Sequence, residues 1–188
     1  MKLRHAAFVL ACFFPFVIPS YAAKPGSGGT VFDPNNLTQN WDKKLPNDDR
    51  FTVLSDFTNQ AVRDNETGLV WERSPSTSQA SWYDAVRACW LRQVGGRMGW
   101  HLPTIEELST LVDPSVPAPG PAVPAGHPFQ NIIASSYWST TTDVRVQFLP
   151  TQAWEVRFDI PGQVGDSGKD GLRYYWCVRG SGNGDKYK

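Results

Sequence analysis

Apolar residues recur at two different periods along this chain, and the changes of period mark its elements. Two short apolar runs, residues 60–63 and 68–71, flank the turn formers Asp64, Asn65 and Thr67. That arrangement predicts a β-hairpin in which Gly68 supplies a positive φ. Folded sequence is expected to begin just before it, near Arg50 and Phe51. Trp82, Ala85, Val86 and Cys89 then lie at helical spacing, which predicts an amphipathic helix over about 81–91. Ser78 or Ser81 caps its start, and Gly95 with Gly96 ends it. A shorter helix is predicted over 104–112, opened by a capping box between Thr104 and Glu107. Leu108 and Leu111 continue its apolar face.

Residues 113–128 contain six prolines in sixteen positions, which no helix or central strand tolerates. They read as a long surface loop, either a passive insertion or a ligand-facing loop stiffened in advance. Beyond it the period drops to two. Residues 144–148 alternate, and so do 154–158, with Trp154, Val156 and Phe158 on one face. The Gly- and Asp-rich stretch 160–171 reads as a turn region. Residues 172–179 read as the last strand, with Tyr174 and Trp176 on the face opposite Tyr175.

The ends differ in composition. Lys2 and Arg4 precede an apolar run over 6–18 and a small-x-small site at Ser20, Tyr21 and Ala22, so residues 1–22 read as a secretory signal peptide. Residues 23–49 lack apolar periodicity and read as a flexible tether; 50–181 form the folded domain, and 182–188 a polar tail. No later stretch approaches the roughly 20 apolar residues of a membrane span, so the protein is not expected to cross a bilayer. The 18 basic residues less Lys2 and Arg4 leave 16 against 18 acidic ones. That balance excludes the basic signature of a nucleic-acid binder. The eight Trp, six Tyr and ten Phe are far more than a linker needs, so most of them belong in a core, with some left to face a ligand.

With Cys12 inside the leader, Cys89 and Cys177 are the remaining cysteines. An exported chain with two cysteines most simply joins them, tying the first helix to the last strand.

The element order and the pattern of Trp82, Ala85 and Cys89, with Trp176 and Cys177 closing the domain, resemble the C-type lectin-like fold. A closer resemblance is to the bacterial Lcl C-terminal domain family. It is carried by Asp64, Thr67, Gly68, Trp71 and Glu72; by Trp82, Ala85 and Cys89; by Gly99, Trp100, His101, Leu102, Pro103, Thr104, Glu107 and Leu108; by Tyr137, Trp138, Ser139 and Thr140; by Ala153, Trp154, Val156 and Phe158; and by Cys177, Val178, Arg179 and Gly180. It covers roughly residues 51–181. The family usually has Arg where this chain has His101. The resemblance implies an α+β, C-type lectin-like domain: two short helices packed on antiparallel β-sheets, with a long Pro-rich loop. It also implies adhesion-like binding, including of sulfated glycosaminoglycans by the family's namesake. Trp71, Trp82, Trp100, Pro103, Thr104 and Glu107 are expected to be structural.

The candidate ligand-binding residues are Tyr137, Trp138, Arg145, Arg157, Arg173, Tyr174 and Trp176, because Arg and outward aromatic rings carry binding energy at interfaces. Zinc is set aside for lack of clustered Cys and His. Calcium has loose candidates in Asp143, Asp159, Asp166 and Asp170, although the Glu-Pro-Asn and Trp-Asn-Asp triplets of sugar-binding C-type lectins are absent from that region. No Gly-x-Ser-x-Gly nucleophile context occurs, and the cysteines read as structural, unlike those of the formylglycine-generating enzymes that share the broad fold. The expectation is therefore a non-enzymatic module, without an obligate cofactor, that recognises a polysaccharide or protein at the bacterial envelope. A structural part in an envelope complex is the alternative.

Overall fold

The computed structural model describes residues 45–145 and 151–180. The expected leader, the tether up to residue 44 and the polar tail lie outside the described residues. Residues 45–49, expected in the tether, instead belong to the fold. The Leu45 amide donates to Glu66 Oε1 at 2.7 Å, and a single turn of helix, α1 (Asn47–Arg50), leads into the first strand. Arg50 explains why this segment docks. Its guanidinium reaches Asp64 at 3.0 Å and Glu66 at 3.1 Å, and donates to the Thr110 carbonyl.

The fold is α+β with two antiparallel sheets. The first has the order β1 (Phe51–Leu54), β2 (Ala61–Asp64), β3 (Val70–Glu72), β7 (Val178–Arg179). Its β2–β3 hairpin is the one expected, with Val62 opposite Trp71. Gly68 has φ +75° and donates its amide to the Asp64 carbonyl at 2.7 Å. The second sheet has the order β4 (Ser136–Asp143), β5 (Gln152–Arg157), β6 (Val164–Gly168).

Both expected helices form. In α2 (Trp82–Trp90), the Ser81 hydroxyl accepts from the Asp84 amide. Ala85 and Cys89 are buried, while Trp82 and Val86 pack partly covered beside them. In α3 (Ile105–Ser109) the capping box is complete: Thr104 Oγ1 accepts from the Glu107 amide and Glu107 Oε2 accepts from the Thr104 amide. This helix stops short of Val112, because the backbone tightens into three-residue turns, with the Leu111 amide on the Leu108 carbonyl and the Val112 amide on the Ser109 carbonyl.

Three expected features differ. The strand expected over 144–148 is displaced: β4 runs through the Thr-rich stretch and ends at Asp143, Val144 and Arg145 follow it, and 146–148 lie outside the described residues. The turn region over 160–171 contains β6, formed by pairing with the free edge of β5. The last segment is not one continuous strand, because it passes from one sheet to the other and changes partner as it goes. Arg173 bridges Ala80, Tyr174 bridges Tyr137, and only Val178–Arg179 joins the first sheet.

Residues 113–128 contain neither helix nor strand, yet the segment does not lie wholly on the surface. Ala122, Val123 and Pro124 are buried, and the Ala122 amide donates to the Phe158 carbonyl at 2.8 Å. Gly120 makes that approach possible: its φ is +73°, and a Cβ there would lie 2.1 Å from the Phe158 oxygen.

Two clusters form the interior. Trp71, Leu108, Phe129, Tyr137, Phe158 and Trp176 belong to one; Phe57, Ala85, Trp100, Trp138, Cys89 and Cys177 belong to the other. Cys89 and Cys177 are disulfide-bonded within the second cluster, with Cα atoms 5.3 Å apart.

His101 stands beside the α3 cap, its Nε2 3.3 Å from Glu107 Oε2. Burial pushes the Glu107 carboxyl up, but hydrogen bonds from His101 and the Thr104 amide outweigh it and hold the group below its ordinary range. A lowered carboxylate pKa contributes stability that is present above the unfolded value and lost as pH falls through the folded one. Glu107→Gln keeps an acceptor for the cap but removes the charge. It is expected to cost about 1 kcal/mol near neutrality, with the gap to wild type closing in acid. Urea unfolding of both proteins across that range checks it.

Candidate functional site

The expected ring-and-arginine surface is not assembled as such. Tyr137, Trp138 and Trp176 are fully buried. Their polar atoms are satisfied internally: Tyr137 Oη accepts from the Ile133 amide at 2.9 Å, Trp138 Nε1 donates to the Ala80 carbonyl, and Trp176 Nε1 donates to the Glu72 carbonyl. Burial pushes the Tyr137 phenol up to about 12. Such rings offer no face to a solute. Tyr174 is half-buried against Tyr137. Of the residues expected to be structural, Trp71 and Trp100 are buried, and Trp82 Nε1 donates to the Ser139 carbonyl.

Arg145 follows β4, Arg157 ends β5 and Arg173 lies outside both sheets, and each holds a carboxylate. Arg145 bridges Asp143 at 2.8 Å and Asp166 at 2.9 Å, and covers the Trp154 ring at 4.3 Å. Trp154 is therefore half-covered by a guanidinium instead of sharing the buried environment of Val156 and Phe158. Arg157 pairs with Asp159 at 2.7 Å. Arg173 holds Glu155 and donates to Ser167 Oγ at 2.6 Å. Hydrogen bonds from Arg145 hold the Asp143 carboxyl below its ordinary range, and Arg157 does the same for Asp159.

The four aspartates considered for calcium do not converge on a common point. Asp143 and Asp166 meet at the Arg145 guanidinium, Asp159 is committed to Arg157, and Asp170 is exposed on the turn after β6. A cation entering between Asp143 and Asp166 would have to displace a positive charge already there. Among the described residues, no three His, Cys, Asp or Glu side chains are grouped to hold a metal.

The most exposed chemistry lies elsewhere. On α2, Tyr83, Arg87 and Trp90 recur at i, i+4 and i+7 and so share one face. It is the face turned away from Ala85 and Cys89. Trp90 is 74 % exposed and Tyr83 55 %, with exposed Leu91 next in the chain and exposed Met98 after Gly95 and Gly96. The helical spacing that identified the buried stripe also identifies this one, read half a turn away. Alternation in the later strands points to Tyr137, Trp138, Tyr174 and Trp176 instead.

A polar cleft of about 320 Å³ opens beside the end of this helix, with Glu72 and Arg92 among its lining residues. Glu72 is nearly buried. Its Oε1 lies 2.6 Å from Arg92 Nε, and its Oε2 accepts from the Cys177 amide at 3.1 Å. Burial raises the Glu72 carboxyl, and Arg92 opposes that rise.

A family model described as the Lcl C-terminal domain matches residues 60–179. The chain belongs to that family. No curated protein sequence matches it. The match spans β2 to β7, and the residues that carried the resemblance now have physical places. Trp71, Glu72, Ala85, Cys89, Trp100, Leu102, Leu108, Tyr137, Trp138, Val156, Phe158 and Cys177 are all buried. In this member of the Lcl C-terminal domain family, the sequence pattern specifies the frame, while α2's outer face and the cleft lie on its surface. Among the described residues, no helix is long and apolar enough to cross a membrane.

Proposed function

We propose that this protein is a non-enzymatic binding module with a C-type lectin-like fold, exported and acting at the bacterial envelope on a polysaccharide or protein. The fold reading is supported by a disulfide that links the first long helix to the residue just before the last strand, beside two antiparallel sheets. Export is supported by that same disulfide, because such bonds persist in oxidising compartments. The reading as a binder rests chiefly on one observation, the solvent-facing Tyr83, Arg87 and Trp90 on a helix locked down by the disulfide. Tyr, Trp and Arg are the side chains that dominate binding energy when an interface covers them. A rigid helix also presents them at low ordering cost. Non-enzymatic action is supported by the use of both cysteines in the disulfide, which leaves no thiol for formylglycine-type chemistry among the described residues.

Leu91 and Met98 favour the alternative, a part in an envelope protein complex, since aliphatic side chains gain more against a protein than against a sugar chain. A glycan array probed with the oxidised protein, in calcium and in chelator, tests the reading together with crosslinking to envelope fractions. The expected result is capture of a glycan or a defined envelope protein. Retention of glycan binding in chelator is expected, given Arg145 between Asp143 and Asp166. Loss of binding on chelation would direct attention back to Asp143, Asp159, Asp166 and Asp170, and silence in both assays would overturn the reading.

A further inference from the structure

We infer that the cleft beside α2 is a binding site for a small hydroxylated carboxylate, the size of a single sugar acid. The inference deepens the proposed binding function and rests on it, but concerns a surface separate from Tyr83 and Trp90.

Size bounds the ligand. About 320 Å³ sits at the lower end of small-molecule sites. The walls set its chemistry. Asn59, Gln60, Gln93 and Gln130 all line the cleft, together with Ser74. Primary amides carry both donors and acceptors, as hydroxyl groups do, so such walls match a polyol better than an apolar molecule. Val94 is the one aliphatic residue of the lining.

Charge sets the rest. Two guanidinium groups, Arg73 and Arg92, line the cleft against one carboxylate, Glu72. Glu72 does not compete for a ligand, because its two oxygens are held by Arg92 and by the Cys177 amide. Arg73 is in a different position. Its Nε donates to the Pro128 carbonyl at 3.1 Å and its Nη1 to the Asn59 carbonyl at 3.3 Å. Those partners are neutral, so they orient the guanidinium and, among the described residues, leave it without a carboxylate of its own. A positive charge fixed at the wall of a polar cleft selects an anion, and a planar fork selects a carboxylate.

The walls are also held in place. Gln60 Oε1 accepts from the Gly95 amide at 3.2 Å, and the Gln130 amide donates to the Arg73 carbonyl at 2.7 Å. Asn59 and β-branched Thr58 both have positive φ, +57° and +51°. That conformation is costly for Thr and persists where surrounding contacts fix it, which is a common property of ligand sites.

Calorimetric titration of the oxidised protein with glucuronate, with glucose and with a polyuronate tests the inference. Glucuronate is expected to bind at least about tenfold more tightly than glucose. Arg73→Gln is expected to erase that preference, and Arg73→Lys to retain part of it. Gln93 and Gln130 are exposed, so Gln93→Ala and Gln130→Ala are expected to weaken glucuronate binding while the protein stays folded, which keeps the test decisive if Arg73→Gln does not fold. Tighter binding of polyuronate than of glucuronate would assign the site to a polymer end, and equal or weaker binding to the free acid. Glucuronate bound no better than glucose, or not at all, would overturn the inference. So would glucuronate binding unchanged in the Gln93 and Gln130 variants. Binding through Tyr83 and Trp90 would survive each of those results, so failure of the cleft is distinguishable from failure of the envelope reading.

Discussion

Removing the disulfide with Cys89→Ala and Cys177→Ala is expected to lower unfolding stability by about 4–5 kcal/mol. The estimate follows from topology. The two cysteines are 88 residues apart, so the bond denies the unfolded chain a large share of its conformations. Both cysteines are fully buried, so two alanines also leave space where sulfur atoms packed between α2 and the segment entering β7. Typical domains have a margin of about 5–15 kcal/mol, so the variant is expected to lie near the threshold of folding at physiological temperature. Urea unfolding of the oxidised wild type and the double variant measures the difference directly. A loss under about 1 kcal/mol would mean that the two core clusters hold α2 against the sheets without the bond.

The second large effect is expected at the ion pair beside that bond. Arg92→Ala leaves Glu72 nearly buried without its cation, and losing one partner of a buried pair costs several kcal/mol. The expected loss is about 3 kcal/mol, the low end of that range, because Arg92 keeps 33 % of its side chain exposed while Glu72 keeps 6 %. The effect has a pH signature. Burial already raises the Glu72 carboxyl despite Arg92. A raised carboxyl pKa means that stability is full below the unfolded value and is lost as pH rises through the folded one. Deleting Arg92 raises that pKa further, so the penalty is expected to be greatest at neutral pH and to shrink in acid. Glu72→Gln combined with Arg92→Ala is expected to recover much of the loss at neutral pH. A penalty independent of pH would assign the cost to lost Arg92 packing instead.

Features set by neighbours in the chain are legible in the sequence, and those set by tertiary packing are not. The β2–β3 hairpin was legible because Asp64 to Gly68 carry the turn chemistry locally, and the α3 cap because Thr104 and Glu107 satisfy each other within four residues. The disulfide was legible by counting. Tyr137 and Trp138 were harder. Alternation correctly sends them to opposite sides of β4, but each side meets its own buried cluster, so neither ring is exposed. A period of two separates faces and does not say which face is wet. β6 was illegible for a different reason. Gly165, Asp166, Ser167 and Gly168 have little strand propensity, and with Val164 they become a strand because β5 offers an unpaired edge. The cleft needed tertiary structure outright, since Asn59, Arg73, Arg92 and Gln130 come from four separate segments. The α2 stripe did not: Tyr83, Arg87 and Trp90 are spaced for recognition in the chain itself.

That stripe carries the account's central claim, and one comparison tests it most directly. Wild type and a Tyr83→Ser, Trp90→Ser double variant, both oxidised and matched in melting temperature, are each titrated against the glycan or envelope protein captured by the wild type. Replacing two exposed rings is expected to leave stability nearly unchanged and to weaken binding by about a hundredfold or more, as for a pair of interface anchors. Equal binding by the two proteins would contradict the claim that the disulfide-held α2 face is where this module meets its partner.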